Sequence, residues 1–149
     1  MMLRKLRTLC SLDIKTLCLL LEAFIYLGWA RVLILLPFSK IAPSLGQSMQ
    51  ETSFSLNGDC LVVSKDLQRA IQIMSRHTIW ESKCLVRAIA GLKMLERRRI
   101  ESTLYLAIGK DETGKMIAHA WLRCGSCYIT GSEGMERFTV VGKFAKTII

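Results

Sequence analysis

Residues 82–99 read SKCLVRAIAGLKMLERRR, and residues 103–123 read TLYLAIGKDETGKMIAHAWLR. In the first stretch Leu85, Ala88, Ile89, Leu92 and Leu95 recur at i, i+3, i+4, i+7 and i+10, the apolar stripe of an amphipathic helix. That helix is expected over residues 82–98, with Ser82 as its cap. In the second stretch the period changes from 3.6 to 2. Thr103–Ile108 is rich in strand formers, Asp111–Gly114 is a turn, and Lys115–Arg123 returns as a second strand.

Working outward, a short strand is expected at Tyr128–Thr130 and a fourth at Phe138–Val141. Upstream, Leu67, Ala70, Ile71 and Met74 keep helical spacing, which predicts a helix over 64–76 capped by Ser64 or Asp66. Ser39–Asp59 holds Pro43, Gly46, Gly58 and several serines, and reads as a linker or loop. Helices followed by an antiparallel sheet make an α+β fold.

Leu17–Leu36 is nearly continuous apolar sequence, about long enough to cross a bilayer. Glu22 and Arg31 interrupt it, and charges are costly at membrane depth. Nine residues apart, they fall on opposite sides of a helix and do not pair with each other. A buried or partner-facing helix ended by Pro37 is expected, with association at a membrane surface as the alternative. The division expected is 1–50 as apolar helix and linker, and 51–149 as the core.

The chain has 149 residues, enough for one domain with its own core, and a net charge of +9. The basic residues are scattered. Only Arg97–Arg99 forms a run, where it closes a helix and reads as a solvated end, so a nucleic-acid partner is not expected. The six cysteines lie in apolar helices and short turns without a cleavable signal, which favours a reduced, cytoplasmic chain over a disulfide framework. Cys124 and Cys127 form a CxxC without a second ligand pair at zinc spacing. They read as a hairpin turn, and no metal or cofactor is expected.

Histidine chemistry has two candidates, His77 and His119. His119 sits inside a strand between two alanines. On its own it reads as a half-buried sheet residue. Cys84 lies in the first turn of a helix, where the dipole and free N–H groups favour a thiolate and could receive an oxyanion. On its own it reads as a small buried hydrophobe. Together they have the form of a thiol nucleophile and its base. Gln68 and Gln72 are within conceivable reach of an oxyanion but equally suit an exposed helix face, and Trp121 suits a substrate groove or sheet packing.

Trp80-Glu-Ser-Lys-Cys84-Leu-Val-Arg-Ala-Ile-Ala90, Leu92, Leu95-Glu-Arg-Arg and Ala118-His119-Ala-Trp-Leu122 resemble the transglutaminase-like superfamily. Within it the likeness is to the leader peptidases of lasso-peptide biosynthesis, in the form of the separate peptidase half of a split pair. Leu20-Leu-Glu-Ala23, Leu35-Leu-Pro-Phe38 and Glu136-Arg-Phe-Thr-Val-Val141 extend the likeness over nearly the whole chain. The resemblance implies a transglutaminase-like, papain-like core and a cysteine protease that cuts the leader from a ribosomally made precursor peptide, with catalytic Cys84 and His119. It implies a small leader-binding companion protein and a separate lasso cyclase as partners. The family's orienting Asp, about a dozen residues beyond the histidine, is missing, since no Asp follows Asp111. Glu133, Thr130 or a backbone carbonyl would take that place. An acyl transferase on the same fold, or a non-catalytic, membrane-attached scaffold, are the competing functions.

Overall fold

The change of period near residue 100 divides the molecule into a helical layer and a sheet. The computed structural model describes residues 2–55, 57–79 and 82–148. Helices α1 (Met2–Cys10), α2 (Ile14–Leu33), α3 (Phe38–Leu45), α4 (Gly58–Ser75) and α5 (Cys84–Arg97) are joined by strands β1 (Gln47–Ser48), β2 (Ser102–Lys110), β3 (Met116–Cys124), β4 (Cys127–Thr130) and β5 (Thr139–Lys146). The strands form one antiparallel sheet in the order β1-β5-β2-β3-β4. The fold is α+β, as the sequence predicts.

The alternation of the strands sorts their side chains between two faces. Leu104, Ala120, Leu122 and Ile129 meet Leu67 and Ile71 of α4, Val86, Ile89 and Leu92 of α5, and Ala23 and Leu27 of α2 in one core. On the other face Tyr105, Ala107 and Trp121 pack with Tyr128, Met135 and Phe138, and the Tyr105 and Trp121 rings stack at 5.5 Å. Gly91 lets α5 cross close to the sheet: a Cβ there would come within 2.8 Å of Leu122 Cδ2, and that side chain would have to shift.

Several local expectations are corrected. Ser64 caps nothing: α4 begins at Gly58, where Asn57 accepts from the Cys60 amide at 2.8 Å. Ser64 is buried mid-helix and its hydroxyl donates to Cys124 Sγ at 3.4 Å. Ser82 does not cap α5 either. Its hydroxyl bonds Thr78 Oγ1 at 2.9 Å, and Lys83 occupies the cap position, where its side chain makes no capping hydrogen bond. The stretch taken for a linker contains α3 and β1, with Pro43 inside the short helix. The run Arg97–Arg99 is more than a solvated end. Arg98 forms a bidentate pair with Glu22, 2.7 Å on both oxygens, Arg97 adds a contact at 3.5 Å, and Arg99 turns the chain at φ 56°. Glu22 thus finds its partner on α5, not in Arg31.

A polar hub fixes residues 51–54 to the sheet. Arg123 is fully buried and donates to Tyr105 Oη, Thr52 O, Ser53 O, Gly125 O and Thr103 Oγ1, with the Phe54 ring 3.7 Å from its guanidinium. A buried charge persists only when its donors are satisfied in this way.

Candidate active site

Cys84 is the first residue of α5 and is half-buried against the helix-side core. The amides of Cys84, Leu85 and Val86 meet no acceptor among the described residues, since the helix ladder begins with Arg87 N–H donating to Lys83 O. An uncapped N-terminus leaves donors and the positive end of the dipole for an anion. A thiolate, or the oxygen of a tetrahedral adduct on its sulfur, is such an anion. Trp80 and Glu81 of the cysteine motif lie outside the described residues.

His119 is held by β3, opposite Ala107 of β2. Its ring lies against Phe138 at 4.8 Å and Trp121 at 5.7 Å. β4 pairs with β3 only from Leu122 onward, so at His119 the β3 edge has no strand beside it and the turn after Thr130 crosses there. That turn brings the Gly131 carbonyl within 2.7 Å of His119 Nε2. A carbonyl only accepts, so in the neutral ring Nε2 carries the proton and Nδ1 keeps the lone pair that a base needs. Gly131 has φ 73°, and a Cβ there would meet Ala120 O at 2.4 Å. Only glycine fits this approach.

A cavity of about 390 Å³ opens beside the ring, lined by His119, Gln68, Gln72, Arg87, Thr130 and Glu133 among others. Gln68 and Gln72 therefore face the site instead of a plain solvated surface. Neither Glu133 nor the Thr130 hydroxyl hydrogen-bonds His119 among the described residues. Thr130 Oγ1 and Arg87 Nε are buried at this cavity without a hydrogen-bond partner among the described residues. Arg87 and Gly131 escape sequence reasoning: one reads as a helix-surface cation, the other as a turn residue. Cys84 is not part of the cavity wall, and its sulfur makes no hydrogen bond to His119. The cavity reaches α5 at Arg87, one turn beyond Cys84.

The family model of the transglutaminase-like superfamily matches residues 23–143, well over half of the molecule. The chain belongs to the transglutaminase-like superfamily. No curated protein and no solved structure matches it. Members of this superfamily are commonly cysteine peptidases or acyl transferases, and the helix-then-sheet order seen here is consistent with their fold.

The remaining thiols stand apart from this chemistry. Cys124 and Cys127 flank the Gly125–Ser126 turn of the β3–β4 hairpin, as the CxxC reading expects. Burial pushes both thiols up, so they stay protonated.

Proposed function

We propose that this chain is a cytoplasmic cysteine peptidase that removes the leader from a ribosomally made lasso precursor peptide. Cys84 is the nucleophile and His119 the base. The observation that carries this reading is the pair of preparations just described: a helix N-terminus at Cys84 whose first amides meet no acceptor among the described residues, and an imidazole whose Nε2–H is taken up by Gly131 O.

His119 Nδ1 takes the Cys84 proton as thiol and imidazole close on the peptide, a contact that in free enzymes is often longer than in the substrate complex. The thiolate attacks the last carbonyl of the leader, and the first amides of α5 receive the oxyanion. The imidazolium then gives its proton to the nitrogen of the first core residue, which leaves as a free amine. Water, deprotonated by Nδ1, opens the thioester, releasing the leader acid and restoring the thiol. Gln68, Gln72 and Arg87 offer donors to the bound chain. The freed amine is what a separate cyclase joins to an acidic side chain, and a small companion protein presents the leader.

The decisive experiment incubates precursor peptide with this protein and the companion, and follows products by mass spectrometry. Cleavage at a single leader–core junction by the wild type, lost in Cys84→Ala and in His119→Ala, is expected. Equal cleavage by Cys84→Ala overturns the mechanism. Adding an amine acceptor tests the acyl transferase on the same run, since transfer gives a conjugate in place of the leader acid.

The lack of a Cys84–His119 hydrogen bond favours a second reading, a non-catalytic scaffold of a peptide-modification complex. A scaffold would support product formation with both residues replaced by alanine.

A further inference from the structure

The outer face of α2 is apolar along its whole length. Its inner face, Leu20, Ala23, Leu27 and Ala30, is buried against α4 and α5. On a surface helix the opposite face should be polar. Here Ile14, Cys18, Leu21, Ile25, Trp29 and Val32 fall within an arc of about 80° at 100° per residue, and all are exposed. Leu21 is 60% exposed, Ile25 57% and Val32 65%; Leu35, Leu36 and Phe38 continue the patch past the helix end.

Charge decides between occupants. Lys15 and Arg31 stand about 100° to either side of the stripe, where long basic side chains can lay their stems on apolar surface and lift their heads to the rim. α1 repeats the design. Met2, Leu3, Leu6 and Cys10 share an arc of about 100°, and the exposed Arg4, Lys5 and Arg7 take the rest of the circumference. α1 has no substantial interface with any other element. The first 50 residues carry the basic Arg4, Lys5, Arg7, Lys15, Arg31 and Lys40 against the acidic Asp13 and Glu22, and Glu22 is bound to Arg97 and Arg98. An apolar stripe bordered by cations, beside a free basic amphipathic helix, is complementary to an anionic lipid surface.

We infer that α1 and the outer face of α2 dock the protein peripherally on an anionic membrane. The segment is long and apolar enough to span a bilayer by composition. Spanning would strip Leu20, Ala23, Leu27 and Ala30 from the core and break the Glu22–Arg98 pair, so α2 lies on the membrane instead of crossing it. Docking of this kind is independent of whether Cys84 cleaves peptides, and it would place product release at the membrane surface.

Vesicle flotation of the full-length protein tests this. Phosphatidylcholine vesicles with roughly one-third phosphatidylglycerol should carry the wild type upward, and pure phosphatidylcholine should carry about tenfold less. Replacing Arg4, Lys5 and Arg7 with Gln, or separately Leu21, Ile25 and Val32 with Ser, should each lower flotation about tenfold while the circular dichroism spectrum stays the same. These positions are exposed, so folding does not depend on them. Wild type remaining at the bottom with both vesicles overturns the inference. So does membrane binding that survives carbonate extraction, which would make α2 a spanning helix. Self-association in ultracentrifugation that the serine variant abolishes, without flotation, would assign the stripe to a second copy and overturn it as well.

Discussion

His119 donates Nε2–H to a peptide carbonyl where a carboxylate would be the stronger partner. A carbonyl fixes tautomer and ring orientation, but its partial charge stabilises an imidazolium less than a full negative charge does. The geometry names the orienting atom as Gly131 O, which separates three variants. Gly131→Ala is expected to lower kcat about tenfold or more, because the Cβ must push Ala120 O away and carry the carbonyl with it. KM should move much less. Glu133→Gln and Thr130→Val should stay within about threefold of wild type in kcat, since neither side chain bonds the ring. Steady-state kinetics on one precursor, with a thermal melt of each variant, reads this out. A large kcat loss in Glu133→Gln with Gly131→Ala unaffected would return the role to the carboxylate. Cys84 and His119 were legible as candidates in the sequence, because a thiol at a helix start and an imidazole on a later strand have a specific chemistry. The orienting group was not, because every residue has a carbonyl and only the turn at Gly131 selects this one.

At the scale of elements, α5 shows a conflict between stability and chemistry. A helix whose first amides lack a cap gives up about 1 kcal/mol. Here those amides surround Cys84. Lys83→Asp would cap them, and is expected to stabilise the protein by about 1 kcal/mol in urea unfolding. The same carboxylate would occupy the amides and set a negative charge beside the sulfur, so the thiolate becomes harder to form. Iodoacetamide alkylation of Cys84 at neutral pH should slow by about tenfold, and turnover should fall with it. Faster alkylation, or a loss of stability, would contradict this account of the helix start. The other joint between elements is Glu22 with Arg98. Glu22→Gln leaves a half-buried guanidinium without its anion and should cost roughly 2 kcal/mol in the same unfolding assay. A cost near zero would mean that solvent already screens the pair. Both joints explain what the sequence concealed. Apolar periodicity gave α4, α5 and the strands, because periodicity records burial. Caps failed at Ser64 and Ser82 since their hydroxyls had other partners in space, and a loop-like composition hid α3 and β1. An ion pair linking residues 22 and 98 leaves no local trace at all.

The whole molecule should be stable over a broad pH range whose two limits meet in the hub around Arg123. On the acid side, the Tyr105 hydroxyl holds the Glu51 carboxyl below its usual 4.5, with Lys143 adding to it. Burial would raise Glu96, but its bonds to Lys146 and Lys93 outweigh that and lower it. A carboxyl lowered by folding contributes stability above its unfolded value and loses it as pH falls through the folded one. The acid limb should therefore begin near pH 4.5 and deepen below it. On the alkaline side, burial first and then the bond to Glu51 push the Tyr105 phenol up to about 12 from 10.0. A phenol raised by folding contributes stability below 10.0, which is lost as pH rises toward about 12. Tyr105→Phe removes the donor to Glu51 and the acceptor for Arg123 Nε together. In urea midpoints taken across pH, this variant should be less stable at neutrality. On the acid limb the gap should narrow as pH falls below 4.5, because Glu51 relaxes upward in the variant and only the wild type loses the full Glu51 contribution there. Between 10.0 and about 12 the gap between the two proteins should narrow, since only the wild type loses a phenol contribution there. Lysines and the other tyrosines titrate in both proteins and cancel in the difference. A gap that stays constant from acid to alkali would mean that the Glu51–Tyr105–Arg123 chain contributes packing alone, and that neither limb is set by this network.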